Sequence, residues 1–138
     1  MRLELVGVPV TDVDAARDFY VQAGFSLDSD NTVSDSVRFV QLTPPGSACS
    51  IAIGKGLTEM KPGSLDNLQM VVADAEETRS ELLERGIEVS EVDDHPWGRF
   101  VYFSDPDGNR WSLQQLPEWS RGVGGDGDWK AAGVDPNA

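Results

Sequence analysis

The chain has 138 residues, enough for the core of one domain, with 39% hydrophobic residues and a formal net charge of −13. This charge repels phosphate groups, which argues against binding to nucleic acid or to an anionic membrane, and no apolar run is long enough for a membrane helix. Cys49 is the only cysteine and no signal segment precedes the first strand pattern, so we expect a cytoplasmic protein without a disulfide framework.

The first half of the chain shows a strand, a helix and three further strands. Residues 3–10 alternate and predict a strand, and Asp12 is a candidate N-cap for a helix over 13–23 that ends at Gly24. The apolar side chains at helical spacing are Ala16, Phe19, Tyr20 and Ala23. Three shorter strands are predicted near 25–29, 37–42 and 48–54, with the turn TPPGS between the last two.

The second half repeats this order. Residues 67–73 predict a strand, Asp74 with Glu77 resembles a capping box, and Gly86 ends the helix. The expected buried stripe of this helix is Thr78, Leu82 and Leu83. Strands are predicted near 87–92, 99–104 and 110–115. The turn DPDGN before the last strand reads as structural: Pro106 fixes φ, Gly108 takes a positive φ and Asp105 caps the turn.

The two halves match residue by residue at one spacing of 62 positions. The matched residues are Val10, Asp12, Arg17, Gly24, Pro44, Gly46 and Ser50 with Val72, Asp74, Arg79, Gly86, Pro106, Gly108 and Ser112. Each copy is too small to bury its own apolar face, so the sequence predicts one α+β domain over 1–116. It consists of module one at 1–54, a linker at 55–66 and module two at 67–116. Residues 117–138 form a Gly-, Asp- and Pro-rich tail, in which Trp119 and Trp129 suggest contact with an apolar surface.

Strand parity separates the side chains that face the helices from those on the opposite side of each sheet. Val6, Ile51 and Trp111 are expected on the helix side. The opposite side, which a curved sheet would make concave, carries Leu5 and otherwise small or polar residues: Gly7, Ser50, Ala52, Asn67, Gln69, Ser112 and Gln114. If the hairpins pair symmetrically across their turns, Val40 lies opposite Ser50 and Tyr102 opposite Ser112. Arg38, Phe100 and Tyr102 then face the concave side as well.

These features together resemble the vicinal-oxygen-chelate superfamily, which contains glyoxalase I, extradiol dioxygenases, fosfomycin-resistance enzymes and bleomycin-resistance proteins. The residues that carry the resemblance are the strand ends VTD and VAD, the helix with FY and a following Gly, WG before the penultimate strand, and DPDGN. The resemblance covers about Leu3 to Gln115. It implies paired βαβββ modules whose curved mixed sheets enclose a cleft, and a homodimer.

The metal enzymes of this superfamily use His, Glu or Gln on the first and last strand of each module. Here the corresponding positions carry Leu5, Ser50, Asn67 and Ser112. Leucine has no donor atom, and neutral hydroxyl and amide oxygens are weak ligands beside carboxylate or imidazole. We therefore expect no metal at the inherited site and no other cofactor.

Three further residues are candidates for a functional role. His95, the single histidine, is interpreted as a loop residue in DDHPWG rather than a general base, because no nucleophile accompanies it. Trp97 is a candidate rim platform for a planar ligand. Arg38 is compatible with a ligand carboxylate or phosphate and equally with a surface ion pair.

Two functional hypotheses follow. The first is a metal-free, non-catalytic protein similar to the bleomycin-resistance branch, which sequesters a small cationic or aromatic compound. The second is an enzyme of the same superfamily, a lyase, isomerase or dioxygenase, with a non-standard or absent metal site. Metal analysis and a ligand titration discriminate between the two.

Overall fold

The computed structural model describes residues 1–118 and Ser120. It confirms an α+β fold built from two tandem modules, each with one helix and one four-stranded mixed sheet. Contacts within the chain group residues into two compact units. One consists of Met1–Asp66 with Ser104–Arg110, and the other of Asn67–Phe103 with the described residues from Trp111 onward.

The first unit holds the first sheet and the first helix. Its elements are β1 Leu5–Gly7, α1 Val13–Gln22, β2 Ser26–Ser34, β3 Val37–Thr43 and β4 Ser50–Lys55. The strand order is β1-β4-β3-β2, with β1 parallel to β4 and the other pairs antiparallel. Its core includes Ala16, Tyr20, Phe25, Val40, Leu42, Ile51 and Ile53.

The second unit holds the second helix and most of the second sheet. The elements of this module are β5 Leu68–Val72, α2 Ala75–Glu84, β6 Asp93–His95, β7 Gly98–Ser104 and β8 Arg110–Gln115. The strand order β5-β8-β7-β6 repeats that of the first sheet. Its core includes Leu82, Ile87, Val101, Phe103, Trp111 and Leu113. Trp111 stacks on Phe103 with ring centroids 6.0 Å apart, which confirms the predicted core position of this tryptophan.

The helices begin and end where the sequence predicts. The carboxylate of Asp12 accepts a hydrogen bond from the backbone N–H of Ala15, and that of Asp74 from the backbone N–H of Glu77, each at 3.0 Å. Gly24 and Gly86 follow the helices with φ of 109° and 81°. In α2 Leu82 is buried but Leu83 is 46% exposed, so the prediction that Leu83 belongs to the buried stripe is wrong. Neither helix in the described part is long enough to span a membrane.

Two strand predictions need correction. Residues 87–92, all of them described, form no strand, because the segment bonds to β7 at a single point: the Ser90 N–H donates to the Tyr102 carbonyl, and the Ser90 hydroxyl accepts from the Tyr102 N–H. Strand β6 forms later, so His95 is a strand residue rather than a loop residue.

The turn Asp105–Asn109 belongs to the first unit although its sequence lies in the second module. The buried Asp105 carboxylate accepts hydrogen bonds from the Tyr20 hydroxyl at 2.8 Å and from the side-chain amide and backbone N–H of Asn109. Asn109 also donates to the Pro9 carbonyl and accepts from the Leu65 N–H. This network explains why Asp105 and Asn109 are buried, and Gly108 has the positive φ expected for the turn, 97°. The prediction for the tail, with Trp119 and Trp129, lies outside the described residues.

Candidate ligand-binding site

An apolar groove of about 570 Å³ lies in the first unit. It is lined by β1, β3 and β4 and by the segment that follows β4, through Leu5, Gly7, Phe39, Ala52, Gly54, Leu57 and Met60. Leu5, Gly7 and Ala52 lie on the side that strand parity predicted. Small residues at the floor leave room above the sheet, and the volume is within the range of small-molecule sites.

The floor of this groove requires glycine at position 54. A Cβ atom built there would overlap the backbone carbonyl of Arg38 and come within 2.6 Å of the Leu57 side chain. Strands β3 and β4 therefore approach closely only because Gly54 has no side chain.

The four positions that correspond to the family's metal ligands are not arranged alike in the two modules. Leu5 is paired with Ser50 across β1 and β4, as the repeat predicts. In the second module, however, the partner of Ser112 is Gln69, and Asn67 lies one residue before β5. Asn67 is therefore not the strand partner of Ser112, and Gln69 takes that place.

The side chains at these positions do not fit a divalent metal ion. Leu5 has no donor atom, and the Ser50 hydroxyl is bonded to the Thr43 hydroxyl at 2.6 Å. The side-chain amide of Gln69, the strand partner of Ser112, donates a hydrogen bond to the side-chain carbonyl of Gln114 at 2.8 Å. Within the described residues, no group of three or more His, Cys, Asp and Glu side chains is placed to hold a metal.

Arg38 lies on the helix side of the first sheet, so its predicted position on the concave side is wrong. The expected pairing of Val40 with Ser50 is replaced by Val40 with Ile53, a shift of three residues. An odd shift turns every side chain of the strand to the other side of the sheet. Arg38 instead forms ion pairs with Asp30 of β2 and Asp14 of α1, both at 2.8 Å. The Arg38 guanidinium, with a smaller contribution from Arg17, lowers the pKa of Asp30 to about 2.

In the second unit, four ring side chains form what we call the aromatic patch: His95, Trp97, Phe100 and Tyr102. Trp97 stacks on His95 with ring centroids 4.9 Å apart and an interplanar angle of 11°. His95 meets the edge of Phe100, and Phe100 lies parallel to Tyr102 at 6.2 Å. Trp97 is 58% exposed although it is a large apolar side chain. Such exposure in a cluster of aromatic rings is typical of a binding surface.

Polar side chains continue from the aromatic patch across the same sheet. Gln114 donates to the backbone carbonyl of Trp97 at 2.9 Å and accepts from Gln69, while Ser112 is the register partner of Gln69. The structure thus connects most of the predicted site residues of the second module in one unit, from Gln69 to Trp97 and on to Tyr102. Asn67 takes part in none of these hydrogen bonds and ring contacts.

Sequence reasoning missed Asp93, whose carboxylate adjoins the aromatic patch. Its Oδ2 accepts hydrogen bonds from the Tyr102 hydroxyl at 2.8 Å and from His95 Nε2 at 2.9 Å. The bond from Tyr102, followed by that from His95, lowers the pKa of Asp93. Two aspartates beside the single histidine in DDHPWG were a signal, but only the strand register shows which of the two faces the rings.

Cys49 has the properties of a structural thiol. Partial burial, with Glu4 nearby, raises the pKa of the thiol, so the reactive thiolate is disfavoured. Cys49 is therefore better suited to packing than to a role as a nucleophile.

Residues 2–113 match the family model of the Glyoxalase/Bleomycin resistance protein/Dioxygenase superfamily. Because this range covers most of the chain, the protein belongs to that superfamily, as the sequence motifs predicted.

Solved structures show the same fold. The chain is similar to TnmS3, an antibiotic binding protein from Streptomyces sp. CB03234, with 37% identity and a TM-score of 0.76 over 85% of this chain and 97% of that one. It is also similar to a glyoxalase/bleomycin resistance protein from the same organism, with 38% identity and a TM-score of 0.72 over 83% and 100% of the two chains. A curated relative, the uncharacterized protein YetH of Bacillus subtilis, is 27% identical and covers 80% of this chain and 94% of its own length.

Proposed function

We propose that the protein binds a small planar organic compound, aromatic or cationic, and sequesters it without chemical change and without a metal. The observation that carries this proposal is the aromatic patch, where the exposed Trp97 indole is held in place by stacking on His95. A rigid, exposed ring of this kind gives a planar ligand a large contact area at little cost in conformational entropy.

Two further observations support the proposal. The apolar groove of the first unit has the volume and lining of a small-molecule site. One similar protein of known structure, TnmS3, is an antibiotic binding protein. In this proposal the protein acts as a homodimer in the cytoplasm, and its mass in solution is twice that of one chain.

A second candidate is a lyase, isomerase or dioxygenase of the same superfamily. The observation that favours it is the hydrogen-bonded group of Tyr102, Asp93 and His95, since linked titratable side chains of this kind are able to transfer protons. Binding remains the preferred function because the side chains at the metal positions do not fit an ion.

The test is calorimetric titration with a panel of planar aromatic antibiotics, on protein purified without chelator and analysed for metal. We expect saturable binding, unchanged ligand by mass spectrometry and no stoichiometric metal. Trp97→Ala should weaken binding roughly tenfold, since stacking on an aromatic side chain contributes about 1–3 kcal/mol. Leu83→Ala, which removes another exposed apolar side chain (46% exposed) from α2, is the control and should leave the affinity unchanged. Turnover of a ligand, a stoichiometric metal, or equal affinities for the two variants would overturn the proposal.

A further inference from the structure

Adjacent aspartates in β6 face opposite sides of the second sheet. The register with β7 pairs Asp93 with Phe100 and Asp94 with Arg99. Asp94 is neutralised on its side by Arg99 at 2.7 Å. Asp93 lies on the other side, against the aromatic patch, where its hydrogen bonds come from Tyr102 and His95. The chain thus has two neighbouring carboxylates of the same kind, of which one adjoins the candidate site.

The Asp93 carboxylate has the capacity to bind a further group. Both of its side-chain hydrogen bonds end on Oδ2, and a carboxylate accepts about four in total. The side chain is 47% exposed, so the remaining positions are open to solvent. Within the described residues no lysine or arginine forms an ion pair with it. An aspartate carboxylate is charged at neutral pH, and the hydrogen bonds from Tyr102 and His95 lower the pKa of Asp93 further.

The neighbouring rings favour the same kind of ligand. The faces of Trp, Tyr and Phe carry negative electrostatic potential and attract a cation within about 6 Å of the ring centre. The Asp93 carboxylate beside them, hydrogen-bonded to Tyr102 and His95 through Oδ2, adds a negative charge and further acceptor positions. The net charge of −13 draws a cation towards the protein and repels carboxylates and phosphates.

We propose that the ligand is a planar aromatic cation, whose ring system lies on the aromatic patch and whose charged nitrogen binds the Asp93 carboxylate. This inference rests on the proposed binding function and narrows its ligand from aromatic or cationic compounds to molecules that are both. Asp93 is then the residue that selects cationic over neutral planar ligands, while Trp97 holds both kinds.

The experiment compares two three-ring probes of nearly equal shape, 9-aminoacridine, a cation at neutral pH, and acridone, which is neutral. Each is titrated by calorimetry into the wild-type protein and into Asp93→Asn, Asp94→Asn and Trp97→Ala. We expect the wild type to bind 9-aminoacridine more tightly than acridone. Asp93→Asn should weaken 9-aminoacridine about tenfold or more and leave acridone unchanged, because it removes a charge-assisted hydrogen bond.

Asp94→Asn makes the same change of charge one residue away, on the other side of the sheet, and should leave both affinities unchanged. Equal effects of Asp93→Asn and Asp94→Asn on 9-aminoacridine would overturn the inference. If both probes bind equally and depend on Trp97 alone, the ligand is not selected by charge and only the inference fails. If neither probe binds, the proposed function fails with it. Asp93→Ser, which keeps an acceptor for Tyr102, provides a second variant should Asp93→Asn unfold.

Discussion

The hydrogen bond between Tyr20 and Asp105 holds the turn Asp105–Asn109 in the first unit, and its contribution to stability is directly measurable. Both side chains are buried, Tyr20 being 0% and Asp105 5% exposed, and the phenol hydroxyl donates to Oδ2 at 2.8 Å. Tyr20→Phe removes this donor alone. The ring keeps its neighbours, with Phe25 at 5.1 Å, so the substitution leaves no large cavity.

The expected loss follows from the charge and the burial of the acceptor. A hydrogen bond to a charged group contributes about 1.5–3 kcal/mol, so Tyr20→Phe should lower the free energy of unfolding by about 2 kcal/mol. For a chain of this size, that corresponds to a fall in Tm of roughly 8 °C. In this variant the side-chain amide of Asn109 still donates to the same oxygen of Asp105. The loss of stability is therefore smaller than for a buried charge without any partner.

The chain contains a matched control in its only other tyrosine. Tyr102 also donates to an aspartate at 2.8 Å, but that aspartate is half-exposed and water replaces the lost bond. Urea unfolding of Tyr20→Phe and Tyr102→Phe, followed by circular dichroism, should therefore show a much smaller loss for Tyr102→Phe. Equal losses for the two variants, or an unchanged midpoint for Tyr20→Phe, would refute the argument from burial.

Two further predictions concern the first sheet. Gly54→Ala should lower the free energy of unfolding by about 3 kcal/mol or more, because the new Cβ overlaps the Arg38 carbonyl and separates β3 from β4. Thermal unfolding measures this loss. The control is Gly7→Ala, where a Cβ meets nothing within 4 Å. The ion pair of Asp30 with Arg38 holds the pKa of Asp30 at about 2 in the folded chain against an ordinary 3.8, so its contribution to stability is complete above pH 4 and lost as the pH falls towards 2. Urea unfolding at several pH values should show wild type more stable than Asp30→Asn at pH 6 and the difference shrinking between pH 4 and pH 2; a constant difference would contradict this.

The order of elements and the helix boundaries are readable from the sequence because their causes are local. An N-cap aspartate needs only the backbone N–H groups of the next three residues, and the closing glycine needs only its own positive φ. The same holds for the burial of Trp111, which follows from alternation along one strand. The resemblance to the superfamily rests on such local motifs, and the match over residues 2–113 confirms it.

The pairing of β3 with β4 is not readable in this way. The observed pairing differs by three residues from the symmetric hairpin that the sequence predicts. Arg38 therefore lies beside α1, where it forms ion pairs, and not on the predicted concave side. Periodicity gives the alternation within one strand but not its offset against the next strand. An odd offset, here of three residues, leaves no trace in the alternation and turns the side chains to the other side of the sheet.

The sequence by itself therefore determined the duplicated α+β fold, the capped helices and the poor set of metal donors, since each depends on residue type and near neighbours. Only the tertiary structure shows that Asp105 is hydrogen-bonded to Tyr20 and Asn109 to Pro9. It also shows that Arg38 forms an ion pair with Asp30. Finally, it shows that Asp93 rather than Asp94 adjoins the aromatic patch. These contacts join residues far apart in the chain or depend on strand register. The chain forms these contacts because the folded arrangement must bury the apolar side chains and, at the same time, satisfy the buried polar groups.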